Sequence, residues 1–352
     1  MGPTRHLPPV YPVFDEGTNY AVHEELPELL VAGLGLGTHL GDRGVLVAVV
    51  VLAFWFGHED RAVRGWIVAT LVAGLAIQIG LKGVFEFARP SDVTFAPDQD
   101  GYSFPSGHAF GAAVVYGAVA AGTGLATARL RYGVAAAVIT LVAASRVVLG
   151  VHYLDDVVAG IVLGTGLVWL GTQVLERRPL PMFAIAVLAA FGFFAVGSTY
   201  QLAHAFGFPL GGLLAWLVVR HRTWATDVLA IGVTAIPAAV VLVTLQVLAL
   251  ESGRVVLEWV ATTLGFGLLV GLPAVAAHFD SRGLVPRHRE GGLALAAIWI
   301  LIGAGMAVGV ARFGLDSAFY GPVALGSAVL GVAIAAHALE TPPVTRPGSL
   351  EG

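Results

Sequence analysis

The chain contains no cysteine in its 352 residues. Disulfides, thiolate metal sites and thiol catalysis are therefore excluded. It is also poor in charge. Asp, Glu, Lys and Arg together make up 12% of residues, against about 25% in ordinary soluble domains. Hydrophobic residues reach 57%, more apolar surface than a water-soluble fold of this length hides, so the bilayer is the expected solvent. Lysine is almost missing: of 19 basic residues, Lys82 alone is not arginine. Because Lys and Arg differ in geometry and hydration, that position is expected to need an ammonium. The formal net charge of −4 gives no footprint of a nucleic-acid partner. The polar, Pro-rich opening segment lacks the apolar core of a signal peptide, so the first membrane helices are expected to act as the targeting signal.

What is there is a series of apolar runs close to the spanning length of about 20 residues. They fall at 42–57, 62–86, 106–127, 132–150, 155–175, 181–198, 203–219, 226–249, 255–278, 292–311 and 319–339. The expected fold is an all-α integral membrane protein with about 11 transmembrane helices. Residues 26–40 are apolar but interrupted by glycine, and are read as an interfacial or re-entrant helix, with a twelfth span as the alternative. The loop Glu176-Arg177-Arg178-Pro179 divides the runs into a five-helix N-terminal part and a six-helix C-terminal part. The expected organisation is an N-terminal segment at 1–41, a catalytic core at 42–178 and a C-terminal extension at 179–352. Alternating the loops across the membrane puts Arg61, Arg64, Arg129, Arg131, Arg177, Arg178, Arg220, Arg222, Arg282, Arg287, Arg289 and Arg346 on one side. The other side keeps Arg5, Arg43, Arg254 and Arg312, besides Lys82, Arg89 and Arg146. The positive-inside rule makes the arginine-rich side cytoplasmic.

Polar residues at membrane depth are costly and mark function, and three stretches carry them. Lys82-GVFEFA-Arg89-Pro90 closes the second run, Pro105-Ser106-Gly107-His108 opens the third, and Ser145-Arg146-VVLGV-His152-YLD-Asp156 bridges the fourth and fifth. The alternation brings all three to one membrane face, opposite the arginine-rich side. Lys82, Arg89 and Arg146 supply the fixed cations that stabilise charge on a transferring phosphoryl group. Ser106 suits an N-cap, and Gly107 lets backbone N–H groups approach an anion at a helix N-terminus. Asp156, four residues after His152, can take one imidazole N–H and leave the other nitrogen basic, as a nucleophile needs. His108 has no carboxylate close in sequence and is placed to give a proton to a leaving oxygen. No metal or other cofactor is required, because the cations do the charge work.

Each group has a plainer reading on its own. The cations taken singly are interfacial anchors, Ser106-Gly107 a helix cap, and His152 with Asp156 a structural pair. At these spacings and together they are not. Gln78 and Glu86 share the face of Lys82, and Glu86 is expected to do no more than pair with it. Arg254 and Glu258 are read as a surface pair. The remaining histidines, His39 and His204 among them, are read as interfacial. Asp98-Gln99-Asp100 is too short for a calcium site. Gly160/Gly164, Gly267/Gly271 and Gly305/Gly309 are read as helix-packing faces.

The three stretches resemble the type 2 phosphatidic acid phosphatase superfamily, which includes the vanadium haloperoxidases. Its pattern is K-x6-RP, then PSGH, then SR-x5-H-x3-D, and all eleven fixed positions are matched in order over residues 82–156, a specific signal. The resemblance covers roughly residues 26–175. It implies that His152 forms a phosphohistidine, that Asp156 orients it, and that His108 is the general acid. It also implies that Lys82, Arg89, Ser106, Gly107 and Arg146 bind the phosphate and that water then cleaves the phosphohistidine. Asp155 is adjacent, but the pattern selects Asp156.

The expected function is hydrolysis of a polyprenyl or glycerolipid phosphate or diphosphate at the extracytoplasmic face of the cell membrane. The partners are then the lipid phosphate substrate and membrane lipids. The alternative is a phosphotransferase passing the group to an alcohol. Haloperoxidase chemistry shares the anion cradle but suits an amphiphilic substrate less well. A lipid transporter stands third, because the C-terminal runs carry almost no mid-membrane charge for ion coupling. The C-terminal part has no reactive constellation and is expected to shape lipid access or assembly.

Two outcomes follow from the sequence. A cysteine introduced at Ser91 reacts with an impermeant thiol reagent in intact cells, whereas labelling only after lysis reverses the orientation. Lys82→Arg loses activity despite keeping its charge. Turnover within about twofold of the parent, small against a 1.4 kcal/mol decade, would mean that charge alone matters there.

Overall fold

The computed structural model describes residues 21–90, 101–225, 227–313 and 317–341. Arg5, Ser91, Asp98, Gln99, Asp100 and Arg346 lie outside them, and so do the side chains of Gly305, Gly309 and Arg312. The described residues hold helices and no strand. In chain order the helices are α1 (Glu28–Gly37), a 3₁₀ turn (Thr38–Gly41), α2 (Arg43–Phe56), α3 (Arg61–Phe85), α4 (Gly107–Gly122), α5 (Ala128–Val148) and α6 (Leu154–Trp169). Then follow α7 (Pro179–Ala195), α8 (Leu202–Val219), α9 (Val228–Ser252), α10 (Val255–Ser281), α11 (Arg289–Phe313) and α12 (Ser317–Glu340). Every apolar run read from the sequence is helical, with ends shifted by a few residues. Among the described residues, six helices are long and apolar enough to cross a membrane, or up to seven if the bent pair Glu28–Gly41 and Arg43–Phe56, angled at 54°, is one span. The bend falls where glycines interrupt the apolar segment before Asp42.

Helix α3 is the axis. Its 25 residues give a length of about 37 Å at 1.5 Å per residue. It is buried on every side, as expected for a helix apolar all round. It packs on α2 and α4 from the N-terminal part and on α7 and α8 from the C-terminal part. A Cβ at Gly80 would collide with the Phe193 ring, and one at Gly83 with Ser198. One hydrophobic cluster runs from Leu46 and Phe54 through Trp66 to Phe183, Trp216 and Phe266. Packing is therefore continuous across the Glu176–Pro179 loop, which marks a change in sequence pattern.

Helices α4 and α6 carry the polar stretches, and glycine sets their separation. A Cβ at Gly164 would lie 2.8 Å from the Phe110 carbonyl oxygen and 2.8 Å from the Ala113 Cβ. One at Gly160 would lie 3.0 Å from both the Ser106 carbonyl oxygen and the Phe110 nitrogen. This pair is the packing face expected from its small-xxx-small spacing. Gly166, two residues on, faces open space. Gly164→Val should therefore cost about 1–3 kcal/mol of stability through overpacking against backbone, with a fall in turnover as α6 moves off α4. Gly166→Val is the matched control, and thermal melts of both variants in one detergent decide the matter: equal melting temperatures would refute the packing account.

Candidate active site

Helix α3 ends because Glu86 adopts a left-handed conformation, φ 50°, with its N–H returning to the Lys82 carbonyl. The chain then runs extended, as the residue before Pro90 favours. Lys82 stays in the last helical turn, buried at 5% exposure. Its Nζ donates to the carbonyls of Tyr102 and Ser103. Glu86 is exposed and makes no ion pair with Lys82, so the expected pairing is corrected: the backbone carbonyls before the PSGH segment hold the ammonium. Arg89 leaves the helix and donates through Nε to the Gly101 carbonyl at 3.0 Å and through Nη1 to the Val151 carbonyl at 2.9 Å.

Ser106 occupies the N-cap position of α4, but its side chain makes no capping bond. The Oγ is fully buried and finds no hydrogen-bond partner among the described residues. An orphaned hydroxyl in such a place fits an acceptor supplied by a ligand. Gly107 opens the helix beside Gln78 and Lys82: a Cβ there would come within 2.8 Å of Gln78 Nε2. The backbone of this corner is tied to α6 by the Ser106 N–H bonding the Asp156 carbonyl at 3.0 Å.

Helix α5 ends at Val148, and Gly150 at φ 67° turns the chain back, a conformation glycine adopts without strain. The turn delivers His152 to the site, 1% exposed. Asp156, fully buried, accepts the Tyr153 N–H at 3.1 Å, the N3 half of a capping box at the start of α6. The same Oδ2 accepts the Ser103 hydroxyl at 2.5 Å. His152 Nδ1–H is shared between Asp156 Oδ2 and Ser103 Oγ, each at 3.2 Å. This network assigns the tautomer, and leaves Nε2 as an acceptor facing Arg89 Nη1 at 3.0 Å. Burial, and after it the cations Arg89, Lys82 and Arg146, hold the His152 imidazole well below its usual pKa, in the neutral form. Asp155 is only half-buried.

Arg146 lies in the last turn of α5, 3% exposed, and its Nη1 donates to Thr38 Oγ1 at 2.7 Å. His108 Nε2 meets Asp42 Oδ1 at 2.8 Å, and His39 Nδ1 meets Asp42 Oδ2 at 2.8 Å. Neither contact is visible in the sequence. His108 does have a carboxylate partner, 66 residues away in sequence, and His39 is engaged with that same carboxylate. His204, read as interfacial, faces Glu258 at 3.2 Å. Among the described residues Glu258 makes no ion pair with Arg254, so the expected surface pair is not found.

All eight residues picked from the sequence meet at this one corner, where α3, α4 and the α5–α6 turn converge. Three residues went unnoticed. Ser103 carries no signal beyond standing three residues before Ser106. Thr38 and Asp42 sit in a turn that reads only as a helix break. The C-terminal part also reaches the site's rim. Tyr200 packs on Tyr102 with ring centroids 5.1 Å apart, and Gln201 Oε1 accepts from Arg43 Nη2 at 3.2 Å. Two buried cations and half-buried Arg89 around a neutral imidazole, with an unused hydroxyl and a helix N-terminus, suit a tetrahedral oxyanion.

Residues 64–180 match the PAP2 superfamily. A curated relative is phosphatidylglycerophosphatase B of Bacillus subtilis (strain 168), 33% identical over 143 residues, or 38% of this chain and 69% of that one. A solved structure, described as the first transmembrane PAP2 type phosphatidylglycerolphosphate phosphatase from Bacillus subtilis, is 27% identical. The match covers 46% of this chain and 85% of that one, with a TM-score of 0.43. With one third of residues identical over 69% of the relative, and with the three polar stretches folded into a single corner, the chain belongs to the PAP2 superfamily.

Proposed function

We propose that the chain is a multi-pass membrane phosphatase that removes the phosphate group from a polyprenyl or glycerolipid phosphate or diphosphate. The observation that carries this reading is His152. One nitrogen is tied to Asp156, and the other faces the Arg89 guanidinium with Lys82 and Arg146 also in electrostatic reach. The name of the Bacillus relative adds phosphatidylglycerophosphate to the glycerolipids to be tried. The arginine asymmetry of the loops supports a site on the extracytoplasmic side of the cell membrane. An amphiphilic substrate would reach a site at the ends of α3, α4 and α6 with its chains still in the bilayer. The expected count of eleven spans, and the division at residue 178, belong to this proposal.

In the proposed reaction the lone pair of His152 Nε2 attacks phosphorus. The bond from phosphorus to the lipid oxygen breaks, and its electron pair stays on that oxygen, which takes a proton from His108. Lys82, Arg89, Arg146, the Ser106 hydroxyl and the Gly107 N–H hold the oxygens on which charge develops. Arg89, which donates to Nε2 in this structure, turns to the phosphate when substrate enters. Water then attacks the phosphohistidine, giving its proton to His108. The phosphorus–nitrogen bond breaks toward Nε2, and inorganic phosphate leaves. No step uses a metal.

The test is phosphate release from a panel of detergent-solubilised lipid phosphates and diphosphates in the presence of a chelator, with p-nitrophenyl phosphate as a soluble ester. His152→Ala should abolish turnover of both kinds of ester. His108→Ala should lose about 10²–10⁴-fold on a lipid monoester, whose alkoxide leaves poorly, and distinctly less on p-nitrophenyl phosphate. Acid-labile, base-stable label trapped from substrate should vanish in His152→Ala. Label that persists there and disappears in His108→Ala would exchange the two roles, and arrest by the chelator would end the metal-free mechanism.

A further inference from the structure

Three features of the break between α1 and α2 face the site. Thr38 Oγ1 takes a hydrogen bond from Arg146. Gly41 lies against the His108 ring so closely that a Cβ would stand 3.0 Å from its Cβ and 3.0 Å from its Cδ2. Asp42 Oδ1 meets His108 Nε2 at 2.8 Å. The third is chemically the most specific. Asp42 stands at the N-cap of α2, where an aspartate ordinarily accepts an N–H from the first turn. Its side chain makes no such bond. Both carboxylate oxygens go to imidazoles: Oδ1 to half-buried His108 and Oδ2 to exposed His39. A capping residue has been turned from its local task toward a histidine on another helix.

This arrangement has a direct consequence for proton transfer. With Nε2–H bonded to Asp42, the ring of His108 is fixed in rotation and presents Nδ1. The imidazolium form, needed to protonate a leaving oxygen, gains a charge-assisted hydrogen bond. It would be a fourth positive charge in a corner that already holds Lys82, Arg89 and Arg146. The carboxylate offsets part of that repulsion. His152 with Asp156 and His108 with Asp42 are then two histidine–carboxylate pairs, with opposite ring nitrogens engaged. Nδ1 is tied in the nucleophile and Nε2 in the acid.

We propose that Asp42 is the positioning residue of the general acid, holding His108 in the orientation and protonation state from which it protonates the leaving lipid oxygen. This rests on the reading of His108 as the acid. His39 on the second oxygen holds the carboxylate in turn.

The experiment compares Asp42→Asn, Asp42→Ser, His108→Ala and the double variant Asp42→Asn/His108→Ala. Each is assayed in the full-length protein on a lipid monoester and on p-nitrophenyl phosphate. Asparagine is nearly isosteric but cannot stabilise an imidazolium as a carboxylate does. Serine is a good N-cap but lacks the reach and the charge. Both single Asp42 variants should lose about tenfold or more on the lipid ester and much less on p-nitrophenyl phosphate. That retained activity also shows that each variant folds. The double variant should be no worse than His108→Ala, because both changes remove one function. Full lipid activity in Asp42→Ser would assign Asp42 to capping and overturn the proposal. So would equal losses on both esters in Asp42→Asn while His108→Ala remains selective for the leaving group. If His108→Ala itself loses equally on both esters, the acid reading falls first and the role of Asp42 with it.

Discussion

One carboxylate oxygen, Asp156 Oδ2, joins segments that are far apart in the chain. It accepts the Ser103 hydroxyl, the His152 imidazole and the Tyr153 N–H. The backbone carbonyl of the same residue takes the Ser106 N–H. The loop before α4, the start of α4 and the turn into α6 are therefore referred to a single fully buried residue. A buried carboxylate persists only where its lone pairs are satisfied by strong donors. The need to satisfy it thus aligns the imidazole, the helix N-terminus and the loop that holds the cations. Gly160 and Gly164 make this possible by letting α6 approach α4 to backbone contact.

Against that one anion stand three cations within electrostatic reach of each other, Lys82, Arg89 and Arg146. Taking an ion out of water costs several kcal/mol even after relaxation, and like charges add to the cost. Part of it is offset by backbone carbonyls of Gly101, Tyr102, Ser103 and Val151 aimed at Lys82 and Arg89, and by Thr38 Oγ1 at Arg146. Carbonyl dipoles compensate a cation without neutralising it. The corner therefore keeps a positive field, the kind of preorganised environment that favours an anion.

The helices were legible because a membrane segment must satisfy its backbone internally, so an apolar run of the right length leaves few choices. The eight site residues were legible because their spacing in three short stretches is itself the pattern. What stayed hidden was long-range and chemically inconspicuous. Asp42 looks like a cap, and nothing near it in sequence points to His108. Ser103 is one of many hydroxyls, and its value comes from a turn formed around Gly150. Glu86 misled in the opposite direction. It shares a helical face with Lys82 on paper, but the helix ends at Phe85, one residue before it. Continuity of packing across the Glu176–Pro179 loop was hidden too, because hydropathy marks where a helix lies but carries no information on its neighbours.

The contact of Tyr200 with Tyr102 bears on how such a protein is taken apart or recombined. The loop from Gly101 to Ser103 presents its carbonyls inward to Arg89 and Lys82, and Tyr102 in it leans on Tyr200 from beyond the corner. Ser198 fills the notch at Gly83 one turn away. A chimera that keeps residues 42–178 and exchanges the rest would carry every reacting group and still lack one wall of the mould in which the cations are cast. The unit that can be transplanted whole is set by where that loop finds its backing, and its border runs at least to Gln201.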